Sequence, residues 1–412
     1  MLTAAEAERL IFTLVEPVRA VESVPLADCL GRVLAVPVRS ELDFPHWDNS
    51  AMDGYAVRAV DVQQVPVTLQ VVAEIPAGTR PEVVIGPGQA ARILTGAMMP
   101  EGADAVVMQE ETAREAAEVT ILAVPESGSF VRSRGSFYRA GAELLEAGRA
   151  IAPAEIALLA AAQQTQVAVY RRPRVAIIST GSELVEPGQP LGPGQIVDSN
   201  QYALAALVAQ AGAVPVALGI VPDERAAVKG AIAAALSQAD MVLSSGGVSV
   251  GDYDYVDAVL AELGATLHIR SVAVKPGKPL TVASFDYAQL SVVGRQVYFG
   301  LPGNPASAMV GFWRFVAPAI QRLSGLAGAP SVAFVWAKAL TELKAGGKRE
   351  TYLWGQLRAT ESGYEFARAV GSHSSGNLVN LANTSGLAVV PMGETHIAAG
   401  ESVRVLVCKA NI

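Results

Sequence analysis

The sequence predicts a multidomain chain in which an α/β segment is flanked by β-rich ones, and three observations carry that prediction. Between about residues 174 and 325, short apolar strands run into glycine and hydroxyl loops that open helices. From about 46 to 142, and again after 327, β-branched runs are separated by Pro and Gly turns. The chain has 412 residues, 51% hydrophobic and 17% charged, which is enough to bury several cores.

Taken in order, residues 3 to 16 read as a helix and Leu26 to Ala35 as a short apolar helix or turn. Val65 to Ile75 and Thr120 to Val124 read as strands, residues 151 to 163 return to helix, and Tyr170-Arg-Arg-Pro-Arg174 marks entry into the α/β segment. Asp198-Ser-Asn200 caps a helix that carries Leu204, Leu207, Val208 and Ala211 on one face. Pro222-Asp-Glu224 precedes an alanine-rich helix near 226 to 238, where Asp223 is as much a cap as a ligand. Gly325 to Pro330 reads as a linker. Ser331 to Leu340, Thr351 to Leu357, Leu387 to Val390 and Val403 to Val407 then read as a small β domain.

Composition narrows the function. The net charge of −8 and the pI near 5.2 argue against a nucleic-acid footprint. No uninterrupted apolar stretch approaches a membrane span. The first residues, Met1 to Arg9, lack the basic start and apolar run of a signal peptide, so a cytoplasmic protein is expected. Cys29 and Cys408 stand near opposite ends, and His46, His268, His373 and His396 are scattered. Neither a zinc centre nor a histidine triad is supported.

The chemistry concentrates in loops after strands. In Met241 to Tyr255 an apolar strand breaks into a loop whose Gly246, Gly247 and Gly251 bring backbone N–H groups toward negative charge. Ser244, Ser245 and Ser249 add hydroxyls, although neither a dinucleotide fingerprint nor a Walker loop is present. Alone, such a loop reads as a tight turn with Asp252 or Asp254 as helix N-cap. Two relatives shift the balance. Ser179, Thr180 and Gly181 follow a strand beginning at Arg174, with Glu183 at the lip; Pro302 and Gly303 follow Val297 to Leu301, with Asn304 as N-cap and Pro305 first in the helix. Three such strand ends on one sheet edge build one pocket. Lys275 and Lys278 lie on a proline-stiffened turn that by itself is merely solvated. Beside an anion cradle they suit an oxyanion, and the aspartates suit a magnesium ion shared with a phosphate. Asp48, Asp53 and Thr95 read by themselves as turn chemistry.

Six motifs together resemble a known family, in order and over nearly the whole chain. Asn49 to Ala56, Thr95-Gly96 with Pro100 to Glu110, Ser179 to Gly181, Ser244 to Gly251, Lys275 to Pro279 and Gly300 to Pro305 are similar to those of molybdopterin molybdenumtransferase, the MoeA family that includes the gephyrin E domain. The resemblance implies an elongated four-domain subunit in a homodimer. Its domains are expected at 1–45 with 143–173, at 46–142 (β-rich), at 174–326 (α/β, similar to the molybdopterin adenylyltransferase fold) and at 327–412 (a small C-terminal β domain). The implied reaction is Mg2+-dependent insertion of molybdate into adenylylated molybdopterin with release of AMP, and a molybdopterin adenylyltransferase is a candidate partner.

Carried over by motif, Asp223 and Asp254 are the metal and catalytic candidates, with Glu183 and Asp53 also catalytic. The substrate would lie on Ser179, Thr180 and Gly181, on Asp198, Ser199 and Asn200, and on Ser245, Gly246 and Gly247. Ser249, Gly251 and Asp252 extend that surface, as do Pro302, Gly303, Asn304 and Pro305. Lys275, Lys278 and Pro279 would frame the molybdate, joined by Arg349 and Ser372 from two weaker motifs. Asp53 and Thr95 would reach the site from the second subunit across a dimer cleft.

The chain departs from the family at two positions: Phe137 stands where an acid is usual, and Trp354 where a basic residue is common. These departures admit a paralogue with altered activity, or a scaffold of the gephyrin kind. Intact Asp223, Asp254 and both lysines argue against pure scaffolding. A nucleotide hydrolase built on a related α/β domain is the other alternative, and the Asn49 to Ala56 and Thr95-Gly96 motifs argue against it.

Overall fold

A computed structural model describes residues 1–247, 256–286, 294–328 and 333–408; Ser249, Gly251, Asp252 and Asp254 lie outside the described residues. The chain divides into two compact units, one of Val36–Glu146 with Pro153–Thr165 and one of Met1–Ala35, Ala147–Ala152 and Gln166–Ile412.

The smaller unit is built on a six-stranded sheet in the order Ala105–Met108, Gly54–Val57, Gln89–Ile93, Val67–Ile75, Glu118–Ile121, Thr112–Glu115. Gly54 is required there, because a Cβ would collide with the Val107 carbonyl of the neighbouring strand. Tyr55, Val57, Leu69, Val107 and Ile121 fill one of its cores.

The larger unit begins with helix α1 (Ala4–Leu14). Thr3 and Glu6 form a reciprocal capping box at its start, and Ala4, Ala7, Ile11 and Leu14 make its buried stripe. The α/β layer follows in chain order as β1 (Arg174–Thr180), α2 (Asn200–Gln210), β2 (Val214–Val221), α3 (Arg225–Gln238), β3 (Met241–Ser245), α4 (Val256–Glu262), β4 (Thr266–Ser271), β5 (Pro279–Asp286), β6 (Arg295–Leu301) and α5 (Pro305–Gly311). The sheet order is β2-β1-β3-β6-β5-β4. β2, β1, β3 and β6 are parallel, and β5 and β4 add antiparallel strands at one edge.

Alternation along the parallel strands explains why they read as continuous apolar runs. Val175, Ile177, Leu243 and Phe299 pack on one face against α1 and α2 residues such as Ile11 and Leu204. Ala176, Ile178, Val242 and Tyr298 pack on the other against Val228, Ile232 and Val259 of α3 and α4. The result is a three-layer arrangement with helices on both faces.

Two expected caps are placed differently. Ser199 holds the N-cap position of α2 without a side-chain bond, and Asp198 Oδ1 instead accepts from the Gln201 N–H at 3.2 Å. Glu224, not Asp223, is the N-cap of α3, so Asp223 is released from that role. Asn304 does stand at the N-cap of α5 with Pro305 following, but its side chain makes no capping bond.

The C-terminal strands Glu350–Thr360, Gly363–Arg368, Phe334–Ala339, Ser402–Val407 and Gly386–Val390 form a closed sheet, since the last pairs back onto the first. Val274–Lys275 adds to its edge, parallel to Glu350–Thr360. Tyr352, Trp354, Leu387 and Leu406 belong to the same buried cluster as α1 and β1, so this barrel shares a core with the α/β layer. No described helix is long and apolar enough to cross a membrane.

Candidate functional site

The carboxyl ends of β1, β3 and β6 lie side by side, and the loops leaving them line a cavity of about 590 Å³. Its wall takes Thr180 and Glu183 after β1, Asp198, Ser199 and Asn200 at α2, and Asp223 before α3. It is completed by Ser245, Gly246 and Gly247 after β3, by Pro302, Gly303, Asn304 and Pro305 after β6, and by Gly376 and Leu378 from the C-terminal segment. The three strand-end motifs therefore converge as the sequence predicts.

The hydrogen bonds sort ligand-facing groups from fasteners. Asn200 Nδ2 donates to Ser245 Oγ at 2.6 Å and to the Gly303 carbonyl at 2.7 Å, knitting three loops together. Gly246 has φ +92°, and a Cβ there would collide with the Thr180 carbonyl oxygen. Its N–H, expected to face an anion, donates instead to the Leu301 carbonyl at 3.1 Å, and that of Gly181 donates to the Val221 carbonyl at 3.2 Å. Both close the ends of neighbouring strands. Ser244 is buried and hydrogen-bonds Tyr298 Oη. Ser179 is wholly buried, is absent from the cavity wall, and its Oγ finds no partner among the described residues.

Among the described residues three carboxylates reach the wall: Glu183, Asp198 and Asp223. Asp223 is held by a reciprocal clasp in which its Oδ2 accepts from the Ser182 N–H at 3.3 Å and its own N–H donates to Ser182 Oγ at 3.2 Å. Ser182 carries no motif signal of its own. Asp198 is 2% exposed, and its Oδ2 has no donor among the described residues, which leaves a buried acceptor on the wall of the cavity. These oxygens, with the Thr180 hydroxyl, are the hard donors that Mg2+ takes. Among the described residues no group of three or more His, Cys, Asp or Glu is already gathered around a metal position.

A second cavity, of about 650 Å³, shares the wall residues Pro279, Pro302 and Asn304 with the first. It collects Lys275, Lys278, Arg349 and Ser372, together with Lys344 and Arg368, which no motif indicates. No carboxylate is among its described lining residues. Strand pairing causes the convergence. Val274 and Lys275 register with Glu350 and Thr351, the Glu350 N–H donates to the Ala273 carbonyl at 3.0 Å, and Arg349 Nη1 donates to the Val274 carbonyl at 3.2 Å. The lysine turn is closed by the Val272 N–H donating to the Lys278 carbonyl at 3.0 Å. Lys344 also pairs with Glu342 at 3.0 Å. The segment 372–378 serves both cavities and is tied to α5 by the Ala306 N–H donating to the Ser375 carbonyl at 3.0 Å. His373, on the wall, has its pKa lowered chiefly by burial.

In the smaller unit, Asp53 Oδ1 accepts from both the N–H and the hydroxyl of Thr95, each at 2.7 Å, and both residues are exposed. The backbone bond first, and the hydroxyl second, hold the Asp53 carboxyl below its ordinary value. Phe137 is 73% exposed.

An α/β layer with carboxylates at its strand ends, next to a cationic pocket completed by a β barrel, fits a multidomain enzyme. Residues 2–162 match the MoeA N-terminal region (domains I and II), 176–322 the probable molybdopterin binding domain, and 337–408 the MoeA C-terminal region (domain IV). A curated molybdopterin molybdenumtransferase from Nostoc sp. is 56% identical, covering 98% of this chain and 94% of the relative. One from Haemophilus influenzae is 36% identical over 93% of each. A solved molybdopterin biosynthesis MoeA protein from Pyrococcus horikoshii superposes with a TM-score of 0.82 at 27% identity, covering 99% of this chain and 100% of that one. The chain belongs to the molybdopterin molybdenumtransferase family.

Proposed function

We propose that this chain is a molybdopterin molybdenumtransferase that inserts molybdenum, delivered as molybdate, into adenylylated molybdopterin and releases AMP. The observation that carries the reading is the shared wall: a carboxylate-bearing cavity and a cationic cavity meet at Pro279, Pro302 and Asn304. A phosphate-bearing pterin in the first would present its reactive end to an oxyanion in the second. Asp223, with Asp254 from outside the described residues, would hold Mg2+, which when bound supplies positive charge to the phosphate oxygens. Asp223 and Glu183 line the adenylate side, Ser245 and the Asn200 fastener fix the loop against which it lies, and Lys275, Lys278, Arg349 and Ser372 orient the molybdate. In the balanced sequence, water attacks the adenylate phosphorus, the P–O bond between the two phosphates breaks, and AMP leaves. The two dithiolene thiols then form two Mo–S bonds and displace one oxygen of molybdate, which leaves as water with their two protons.

The same reading has a four-domain subunit divided at 1–45 with 143–173, 46–142, 174–326 and 327–412, working as a cytoplasmic homodimer. Asp53 and Thr95 of one copy complete the site of the other, and a molybdopterin adenylyltransferase hands over the substrate. The family likeness over 98% of the chain supports it. Incubation with adenylylated molybdopterin, Mg2+ and molybdate is expected to give AMP release and dithiolene metallation together. AMP release without metallation would make the protein a nucleotide hydrolase and sink the proposal. Asp53→Ala and Asp223→Ala, each weak alone, should recover part of the activity after subunit exchange; no recovery despite demonstrated exchange would confine the site to one chain.

A further inference from the structure

The surroundings of Trp354 give it a task. It sits in the strand Glu350–Thr360, opposite Leu387, and is fully buried. It is not part of either cavity wall, yet it holds the segment that is. Its carbonyl accepts from the Ala369 N–H at 3.0 Å, and its ring lies 4.2 Å from the His373 ring. Its Nε1–H donates to Asn380 Oδ1 at 3.0 Å, and Asn380 Nδ2 in turn donates to the Ser372 carbonyl at 2.9 Å. Asn377 Nδ2 donates to that same carbonyl at 2.9 Å, and His373 Nε2 bonds the Ala369 carbonyl at 2.9 Å.

We infer that Trp354 is a positioning residue for the oxyanion: through Asn380 and His373 it fixes where Ser372 stands relative to the lysine turn. This rests on the assignment of the cationic cavity to molybdate. The relay predicts an effect on oxyanion affinity separate from turnover. Trp354→Phe keeps a ring against His373 and removes the N–H; Asn380→Ala removes the relay itself. Each is expected to raise the half-saturating molybdate concentration about three- to tenfold, the scale of one hydrogen bond. Rate at saturating molybdate and half-saturation by the adenylylated pterin should stay unchanged. Because both act on one chain of bonds, the double variant should be no worse than Asn380→Ala alone.

A merely structural tryptophan would lower melting temperature and active fraction and leave the molybdate dependence alone. Asn380→Asp keeps the acceptor for Trp354 and removes the donor to Ser372, so it should reproduce the rise even if Trp354→Phe folds poorly. If these variants leave molybdate half-saturation unchanged while Ser372→Ala raises it, the relay is refuted and the cavity assignment stands. If Ser372→Ala also leaves it unchanged, the cavity assignment falls and the relay falls with it.

Discussion

Lys278→Ala removes one of five cations from a cavity with no carboxylate among its described lining residues, and the size of the effect follows from exposure. Two unit charges 4 Å apart attract by about 1 kcal/mol in bulk water and about 4 kcal/mol at an effective dielectric near 20. Lys278 is exposed, which keeps its contribution toward the lower figure, while the double charge of molybdate raises it. The remaining cations Lys275, Lys344, Arg349 and Arg368 hold part of the field. A loss of about 1 to 2 kcal/mol results, or roughly a 5- to 30-fold rise in the molybdate needed for half-maximal insertion. Insertion is measured against molybdate concentration at saturating adenylylated molybdopterin, at low and high salt. Wild type should lose more affinity with salt than the variant, since it has more charge to screen. Lys278→Arg should keep much of the affinity. If pterin affinity collapses and molybdate dependence does not move, Lys278 serves the phosphate and the cationic cavity is misassigned.

Three further outcomes follow from particular contacts. Gly246→Ala places a methyl against the Thr180 carbonyl at φ +92° and should cost about 2 to 4 kcal/mol, seen as a lower melting temperature; an unchanged melt would mean that the loop is not pinned as described. Thr95→Ala removes the second of the two bonds that lower the Asp53 pKa, so the carboxyl should titrate at higher pH by NMR, though short of its ordinary value because the larger backbone bond remains. A depressed carboxylate contributes stability that is complete above the ordinary aspartate value of 3.8 and is lost as pH falls through the lower folded one, so in the variant this contribution should be smaller and its loss should be complete at a higher pH; an unmoved titration would show that the hydroxyl bond is absent in solution. Phe137→Asp, at a 73% exposed position, should leave the melt unchanged and raise AMP release if an acid there assists the reaction; equal rates would show that the usual acid is dispensable.

What was legible in the chain follows the range of the interactions involved. The loop after β3 is visible because glycines interrupt an apolar run, and the convergence of three such loops follows from parallel strand order. Distinguishing ligand from fastener was beyond it. Ser179 and Ser245 both sit among hydroxyls and glycines, and they pair with each other in register, yet Ser179 is sealed in the sheet while Ser245 reaches the wall. The N–H groups of Gly246 and Gly181 look available in sequence and are taken by carbonyls more than thirty residues away. Arg349 rested on a weak motif and turns out to be bonded beside the lysine turn. Lys344 and Arg368 had no local signature, because tertiary contacts such as the pairing of Val274–Lys275 with Glu350–Thr360 bring that half of the cavity to the other.

The wall between the cavities contains two of the motif prolines. Pro279 and Pro302 carry no N–H, so among the three described residues that the two walls share, only Asn304 brings a side-chain donor. Hydroxyls line both cavities, and lysine and arginine line the second, among the described residues. On the proposed reading, the partition lets a phosphate-bearing pterin and molybdate approach each other from separate cavities, an arrangement that a transfer between them requires.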